Sequence, residues 1–367
     1  MGRSLSIPAG TFYTMNILYA SHHSPHEYYD YKMFVELGHD VFTIGMMENP
    51  DLIYMSSYSN PHKPGDDARP AIPEAKLHNE LCELDVWGKS PLIAEELLEW
   101  ADLFYIQHKC IKWLKYNWDN CKKHNVKVLV RGAGQNIPST ERLLAPYRKE
   151  GLLIVRYSPN EKNIPDYCGE DAMIRFYGDP EEWKNWNGKN NRVITVCQSI
   201  GDPNHGRYRN WDSFDQATDG LDRKVFGNGN KDLGDLWGGR LSYEELRSVY
   251  QNNRVYFYAG TMPAQYTMNF VESWMTGVPV VSIGSARGNP WFFEPNMRTF
   301  EVPELIENGV NGYFSDDIDE LHGYIEMLIK DYNLAKKIGE AGRKKAIEVF
   351  GKDRIFAEWK EFFKRYD

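Results

Sequence analysis

The sequence predicts an α/β fold with two Rossmann-like domains facing a cleft. Two observations lead to this prediction. The chain has 367 residues, more than a single hydrophobic core usually organises. An apolar strand–helix–strand pattern also occurs twice, starting near residue 16 and again near residue 192. The two halves therefore share an architecture, and each is expected to contain its own parallel sheet.

The first half opens with a β-α-β unit. An apolar strand at 16–20 is followed by a helix at 28–37, which Gly38 ends, and by a second strand at 40–44. Units of this kind build parallel sheets. Further strands are predicted at 103–106, 126–130 and 152–156, and further helices at 93–100, 111–123 and 141–149. Residues 48–90 are polar and rich in proline, which predicts a long loop insertion.

The second half restarts the same order of elements. Its predicted elements are strands at 192–197, 224–226 and 254–258 and helices at 211–218 and 243–250. Ser242 precedes the second of these helices and Glu245 follows three residues later, the pattern of a capping box. The polar, turn-rich residues 183–191 are expected to form a hinge. Helices are expected from Leu321 onward, the last of them an amphipathic helix at 353–366.

Composition argues against several classes of protein. The formal net charge of -9 is unlike that of proteins that grip nucleic-acid phosphates. No apolar run is long enough to span a bilayer, and residues 1–14 lack the pattern of a signal peptide, so we interpret them as an extension. The five cysteines include no Cys-x-x-Cys pair, which favours reduced thiols, no zinc site and a cytoplasmic location.

The most informative segment is GTMPAQYTMNFVESWMTGVPVVSIG at residues 260–284. A turn leads into a predicted helix at 266–275, Gly277 ends that helix, and a strand at 278–283 follows. A helix that opens after such a turn directs its backbone N–H groups and the positive end of its dipole at an anion. Glu272, two turns further along, can accept a hydrogen bond from a sugar hydroxyl. The segment therefore predicts a site for a nucleotide held by its diphosphate and its ribose.

This segment resembles the nucleotide-sugar-binding core of GT-B glycosyltransferases. It is most similar to the retaining, family 4-like group, which has two glutamates separated by seven residues before a G-x-P-V-V strand. Glu272 matches the second glutamate, and Ala264 stands where the first is expected. Downstream, ELIENG at 304–309, NGYF at 311–314 and DIDEL at 317–321 continue the resemblance.

The resemblance extends over residues 190–365 and implies a domain organisation. It implies an acceptor-binding domain at 1–184, a nucleotide-sugar-binding domain at 190–351, and a C-terminal helix at 352–367 that packs back on the first domain. The amino-acid sequence from Trp211 onward also resembles that of viral glycosyltransferases.

The resemblance implies which residues hold the diphosphate. The backbone N–H groups of Tyr266, Thr267 and Met268 are expected to face it, and Glu272 is expected to bind the ribose. A metal-free site also needs cations to offset the charge of the leaving group. Arg207 and Arg209, in the loop after the first strand of the second domain, are the candidates, and a solvated basic loop is the alternative interpretation.

Four other positions complete the candidate site. The backbone of Leu241 is expected to contact the edge of the base, and Gly227 and Ser199 complete the nucleotide-binding set. His108 follows the strand at 103–106, where a histidine in related enzymes lies near the donor sugar and the acceptor. A surface histidine without a catalytic role is the alternative there.

No metal and no bound cofactor are expected, because the nucleotide-diphospho-sugar is a co-substrate. Asp317 and Asp319 resemble the Asp-x-Asp of metal-dependent glycosyltransferases. Their position just before a helix instead predicts a helix cap. No cluster of histidines and cysteines has the spacing of metal ligands.

We therefore expect a glycosyltransferase that moves a sugar from a nucleotide-diphospho-sugar, by default a UDP-sugar, to a hydroxyl acceptor. The resemblance implies retention of anomeric configuration, and no metal is expected to take part. The acceptor stays open among carbohydrate, lipid, protein and modified DNA.

Three alternatives remain. A DNA glycosyltransferase acting on a hydroxymethylated base would need a basic groove in the first domain. The candidate cations for such a groove are Lys109, Lys112, Lys115, Lys122, Lys123 and Arg131. Because the chain is acidic, we expect negligible binding of unmodified DNA. A degenerate GT-B protein that binds a nucleotide without transferring sugar would explain Ala264 and Gln198, the latter standing where an arginine is expected. A GT-B-like epimerase or phosphorylase is the third alternative.

Overall fold

The computed structural model describes residues 14–20, 24–44, 78, 81, 92–134, 136–289 and 294–366. Contacts divide these residues into two compact units, with unit 1 containing the residues up to Val130 and those from Trp359 on, and unit 2 containing 131–358. Residues 131–184, which we assigned to the first domain, cluster with unit 2. The predicted domain boundaries stay predictions. The extension at 1–14, except for Thr14, and the insertion at 48–90, except for His78 and Leu81, lie outside the described residues.

Unit 1 contains the predicted β-α-β opening. Its strands are β1 (Asn16–Ala20), β2 (Asp40–Thr43), β3 (Leu103–Gln107) and β4 (Lys127–Arg131), whose last residue belongs to unit 2. Its helices are α1 (Ser24–Glu36), α2 (Glu95–Trp100) and α3 (Leu114–Lys123). A 3-10 helix at His108–Trp113 precedes α3, so the helix predicted at 111–123 has a tighter first turn than expected. β1 pairs in parallel with both β2 and β3.

Unit 2 begins with elements that follow β4 in the chain. They are α4 (Pro138–Lys149), β5 (Leu153–Arg156) and β6 (Ala172–Met173), and β5 pairs in parallel with β6. The strand order of the first sheet is β2-β1-β3-β4-β5-β6. Proline is favoured in the first turn of a helix, and Pro138 starts α4 three residues earlier than predicted.

The second sheet lies entirely in unit 2. Its strands are β7 (Asn190–Val196), β8 (Arg223–Phe226), β9 (Asn253–Tyr258), β10 (Val280–Ile283) and β11 (Tyr313–Ser315). They follow the order β11-β10-β9-β7-β8 and pair in parallel. This arrangement confirms the predicted class of two parallel-sheet, Rossmann-like α/β domains. β11 was not predicted, because a three-residue strand carries too little periodicity.

Helices follow most strands of the second sheet. They are α5 (Trp211–Ala217), α6 (Tyr243–Asn252), α7 (Met268–Thr276), α8 (Ser285–Gly288), α9 (Val302–Leu305), α10 (Ile318–Lys330), α11 (Tyr332–Phe350) and α12 (Lys352–Phe363). Ser242 and Glu245 form the predicted capping box of α6. Trp359 and Phe363, near the end of α12, lie against Phe34 of α1, with ring centroids 5.9 Å apart in both pairs.

The helix predicted at 266–275 begins at Met268 instead, which corrects the sequence interpretation. Thr267 has an extended backbone, with φ of -124° and ψ of 165°, so the helix begins after it. Gln265, just upstream, is fixed by bonds to other segments. Its N–H donates to the Tyr157 hydroxyl at 3.0 Å, and its carbonyl accepts from the N–H of Glu301 at 3.1 Å. The C-terminal end was predicted correctly, since Gly277 ends α7 with a φ of 92°.

Residues 183–191, which we expected to form a hinge, are hydrogen-bonded to other residues of unit 2. The N–H groups of Asn187 and Gly188 donate to the carbonyl of Gln251 at 2.8 and 3.1 Å. The indole N–H of Trp186 donates to the carbonyl of Asn253 at 2.9 Å. Across the described part of the chain, no helix combines the length and apolar character needed to cross a membrane.

Candidate functional site

The strand order of the second sheet locates a crevice in unit 2. β7 has β8 on one side and β9 on the other, so the chain turns in opposite directions after β7 and after β8. In open parallel sheets, ligands bind beyond the carboxyl ends of the strands at such a switch point. The loops that follow β7 and β9 are therefore the parts of unit 2 best placed to hold a ligand.

Two hydrogen bonds join these loops directly. The N–H of Met262, after β9, donates to the carbonyl of Tyr208, after β7, at 2.7 Å. The side-chain amide of Asn210 donates to the carbonyl of Ala259 at 2.8 Å. Asn210 has a φ of 53°, a left-handed conformation that asparagine tolerates better than most residues. The two loops thus form one connected surface.

Both predicted arginines belong to this surface. Arg207 and Arg209 lie in the 3-10 helix Gly206–Arg209, on either side of the residue that accepts from the β9 loop. Arg209 is partly exposed, and its Nη1 donates to the sulfur of Cys197 at 3.8 Å. The side chain of Arg207 lies outside the described part of the chain.

The structure also brings Ser199 and Gly227 together. The N–H of Ser199 donates to the carbonyl of Asn228 at 2.8 Å, and Ser199 has a φ of 53°. A Cβ on Gly227 would lie 2.7 Å from the carbonyl oxygen of Cys197, so only glycine fits this close approach. The loops after β7 and β8 are therefore held in contact through the two predicted positions.

A buried asparagine that the sequence analysis did not select holds these same loops. Asn230 donates from its amide to the carbonyls of Cys197 at 2.8 Å and Gly227 at 3.1 Å. Its oxygen accepts from the N–H of Gly201 at 3.1 Å. An isolated asparagine in a turn-rich loop gives no sequence signal that separates this bridging role from ordinary turn formation.

The N-terminus of α7 is a candidate anion site. Thr267 occupies the N-cap position and makes no side-chain capping bond; its hydroxyl accepts from Tyr258 at 3.2 Å instead. Side-chain capping differs among the helices of unit 2. Like α7, the helices α4, α5 and α9 have no side-chain cap, whereas four others have their first N–H groups held by side chains. α6, α8, α10 and α11 are capped by Ser242, Asp316, Asp317 and Asp331 respectively. The backbone N–H groups at the start of α7 therefore keep their capacity for an anion.

Most side chains around the start of α7 are buried. Those of Tyr266 and Met268 are 1% and 4% exposed, so only their backbone groups fit the predicted diphosphate role. Thr267 is partly exposed. The hydroxyl of Tyr266 is already engaged, donating to the carbonyl of Tyr157 at 3.0 Å and accepting from the N–H of Phe176 at 3.3 Å.

Glu272, predicted to bind ribose, is fully buried in this structure. It lies near Tyr256 of β9. Burial raises the pKa of Tyr256 well above its usual value, and the charge of Glu272 adds to that effect. The carboxylate therefore faces the packing between α7 and the sheet, and its contact with a ribose stays a prediction.

Ala264, where the resemblance expects a glutamate, packs against a glycine. A Cβ on Gly134 would lie 2.9 Å from the Cβ of Ala264 and 3.0 Å from the hydroxyl of Tyr157. Gly134 has a φ of 84°. The space at position 264 is thus taken up by the loop that follows β4, and a long side chain there would displace this loop.

Leu241 and His108 are the two remaining predicted positions. Leu241 is partly exposed and immediately precedes the capping box of α6. His108 starts the 3-10 helix after β3 in unit 1, and its side chain lies outside the described part of the chain. Both functional roles therefore stay predictions.

Asp317 and Asp319 form a helix start. The carboxylate of Asp317 accepts from the N–H groups of Asp319 at 2.8 Å and Glu320 at 3.2 Å, which makes it the N-cap of α10 as predicted. Among the residues that the structure describes, no group of three acidic, histidine or cysteine side chains is arranged to hold a metal ion.

A buried cluster of charged side chains holds the segment around Tyr157. No sequence pattern predicted this cluster. Arg156, at the end of β5, makes two 2.7 Å bonds to Glu141, and both side chains are fully buried. Glu161 lies 3.4 Å from the same guanidinium and accepts from the N–H of Tyr157 at 2.7 Å. Burial raises the pKa of Glu161, and the charge of Glu141 adds to this effect, whereas Arg156 acts in the opposite direction. The cluster fixes the backbone that carries Tyr157.

Comparison with known proteins supports this interpretation of the fold. Residues 209–359 match the glycosyl transferase-like family model. No curated protein has a significantly similar sequence.

Three solved structures have the same fold. HepE from Anabaena, in complex with UDP, is 14% identical with a TM-score of 0.67 and covers 96% of this chain and 100% of its own. Sucrose-phosphate synthase from Thermosynechococcus elongatus is 13% identical with a TM-score of 0.65, covering 96% and 99%. An alpha-glucosyltransferase in complex with UDP and a 13-mer DNA containing a HMU base is 13% identical with a TM-score of 0.57, covering 96% and 100%. The chain therefore has the GT-B glycosyltransferase fold, and its second half contains a glycosyltransferase-family domain.

Proposed function

We propose that this protein transfers a sugar from a UDP-sugar to a hydroxyl acceptor. The observation that carries the proposal is the start of α7, which lies at the switch point of the second sheet without a side-chain cap and beside a loop bearing Arg207 and Arg209. An uncapped helix start and two arginines together suit a diphosphate. The match to the glycosyltransferase family model and the UDP-glucose bound in HepE support the same class of donor.

In this proposal, catalysis depends on positioning and on stabilising the leaving diphosphate. The backbone N–H groups of α7 and the guanidinium of Arg209 offset the negative charge that grows on the diphosphate as the bond to the sugar breaks. Retention of configuration and independence of metal are part of the proposal. The cytoplasmic location suggested by the cysteines is also part of it.

A DNA acceptor is the second candidate, because one structural neighbour is bound to a DNA containing a HMU base. The described geometry gives it less support. Arg131 is 1% exposed, and its guanidinium donates to the carbonyl of Arg175 at 3.1 Å, so it lies outside any accessible groove. Lys123 pairs with Glu95 at 2.7 Å, but both side chains are exposed, and Lys115 and Lys122 are exposed as well. The preference for a carbohydrate, lipid or protein hydroxyl over DNA therefore rests on the buried Arg131 and on the net charge of -9.

A screen of nucleotide-sugars for slow hydrolysis tests the donor without knowledge of the acceptor. We expect release of free sugar from at least one UDP-sugar, with activity surviving excess chelator. Full loss with chelator, restored by manganese or magnesium, would replace the metal-independent mechanism. Binding of UDP without hydrolysis of any UDP-sugar, and without transfer to any acceptor tested, would favour the degenerate nucleotide-binding protein.

The acceptor classes separate in the same assay. With the donor identified, hydroxymethylated and unmodified duplex DNA are compared as acceptors alongside simple carbohydrates. Transfer to the hydroxymethylated duplex alone would place the DNA candidate first. We expect no salt-sensitive, submicromolar binding of the unmodified duplex, which is the affinity range of specific DNA complexes.

A further inference from the structure

Asn269 is the second residue of α7, and its side chain is tied to the end of β7. The amide N–H donates to the carbonyl of Val196, the last residue of β7, at 2.7 Å. The orientation of the amide is fixed by chemistry, because a backbone carbonyl only accepts and the nitrogen must therefore face it. Asn269 thus lies at the switch point, between the end of β7 and the start of α7.

The amide oxygen of Asn269 takes no part in this bond. Within the described part of the chain, no residue donates to the Oδ1 of Asn269, and the residue is partly exposed, whereas Met268 and Phe270 on either side of it are buried. An amide oxygen can only accept. An ionised phosphate has no proton to donate, so this oxygen suits a hydroxyl or an N–H donor, and the ribose of a nucleotide supplies hydroxyls.

We propose that Asn269 accepts a hydrogen bond from a ribose hydroxyl of the nucleotide. Glu272 is three residues later on the same side of the helix, but it is fully buried, whereas Asn269 is one turn nearer the helix start. A nucleotide with its diphosphate at that start brings its ribose within one turn of Asn269. This inference rests on the proposed function, and it adds a residue that recognises the nucleotide itself rather than the sugar.

The test compares UDP with its 2′-deoxy and 3′-deoxy analogues by calorimetry. Wild type is expected to bind at least one analogue about 3- to 10-fold more weakly than UDP, the effect of one neutral hydrogen bond. Asn269→Ala is expected to bind UDP more weakly by a similar factor and to lose the preference for UDP over that analogue. Asn269→Leu, which has nearly the same shape, replaces Asn269→Ala if the alanine variant does not fold.

Asn253→Ala is the matched control. Asn253 makes a comparable bond, from its amide to the carbonyl of Val249 at 2.8 Å, but it lies at the amino end of β9, away from the switch point. This variant is expected to keep the wild-type preference. Glu272→Gln is measured in parallel, and loss of the preference there but not in Asn269→Ala would assign ribose recognition to Glu272.

The outcomes separate the two proposals. No binding of UDP by the wild type would overturn the proposed function and this inference with it. Binding of UDP without discrimination against either analogue would overturn the inference alone. A folded Asn269 variant that weakens UDP and both analogues equally would reduce the role of Asn269 to packing, and one that keeps the preference would also overturn the inference.

Discussion

Tyr157 and Gln265 are joined by two hydrogen bonds. The hydroxyl of Tyr157 accepts from the backbone N–H of Gln265 at 3.0 Å and donates to the side-chain oxygen of the same residue. Both residues are fully buried. Burial raises the pKa of the Tyr157 hydroxyl well above its usual value, and the nearby charge of Glu161 acts in the same direction, so the hydroxyl stays protonated. The end of β5 thereby holds the segment that leads into α7.

Tyr157→Phe should lower the free energy of unfolding by about 1–3 kcal/mol. The substitution leaves a buried N–H and a buried amide oxygen without their partner. Denaturant unfolding measures this loss. Tyr167→Phe is the control, because the hydroxyl of Tyr167 bonds to Glu170 at a partly exposed position. An equal loss in both variants would show that the Tyr157 pair contributes no more than a surface bond.

Gly134→Ala should cost more stability than Gly220→Ala. Both glycines have positive φ, 84° and 72°, so alanine introduces backbone strain at each position. Only Gly134 meets other atoms, since its Cβ would lie 2.9 Å from Ala264, whereas nothing lies within 4 Å at Gly220. The expected difference is about 1–3 kcal/mol, the usual cost of overpacking. Thermal unfolding of the two variants checks it, and equal midpoints would contradict the tight contact.

Glu161 should make the stability depend on pH in a defined direction. Its pKa in the folded chain is raised by burial, so the folded state holds the proton more tightly than the unfolded state does. The stability of wild type relative to Glu161→Gln should therefore fall as pH rises above the ordinary glutamate range. Unfolding curves of both proteins at several pH values between 4 and 8 measure the trend.

Glu245→Gln supplies a control with the opposite sign. Backbone and side-chain hydrogen bonds from Ser242 lower the pKa of Glu245. Wild type should therefore gain stability relative to this variant as pH rises through the ordinary glutamate range. The same slope in both comparisons would mean that Glu161 is not the source of the trend.

The fold was predictable because long elements have strong local patterns. β1, β7 and β9 are five to seven residues long and each contains a mostly apolar stretch. Ser242 and Gly277 mark helix ends through capping and a left-handed turn. The start of α7 was not predictable. Thr267 is extended, and Gln265 before it bonds to residues more than thirty positions away in the chain, which local sequence cannot report.

The site was predictable as a segment but not as a set of side chains. The pattern at 260–284 located α7 and its turn. The structure also joins the loops of Ser199 and Gly227, through the bond from Ser199 to Asn228 and the close approach of Gly227 to Cys197. Asn230 and Asn269 were missed, because their roles depend on carbonyls contributed by other strands. Membership of the retaining, family 4-like group stays a prediction, and so does a viral origin. The roles of His108 and Glu272 also stay predictions.

Arg209 should contribute to binding of the diphosphate rather than of the nucleoside. Arg209 is partly exposed and lies in the 3-10 helix that adjoins the β9 loop, where the proposed function places the diphosphate. Removing a charge-assisted hydrogen bond costs about 1.5–3 kcal/mol. Arg209→Ala should therefore weaken UDP by about 10- to 150-fold while leaving uridine almost unchanged, and it should lower kcat/KM for hydrolysis of the UDP-sugar at least as much.

Arg192→Ala is the matched control for this measurement. Arg192 belongs to β7 but lies near its amino end, where it pairs with Asp222 at 2.8 Å. The substitution therefore removes the same charge from the opposite edge of the sheet. Its affinity for UDP should stay close to that of wild type. An equal loss in the two variants would indicate a general effect of net charge. Equal weakening of UDP and uridine in Arg209→Ala would mean that this arginine shapes the loop without touching the phosphates.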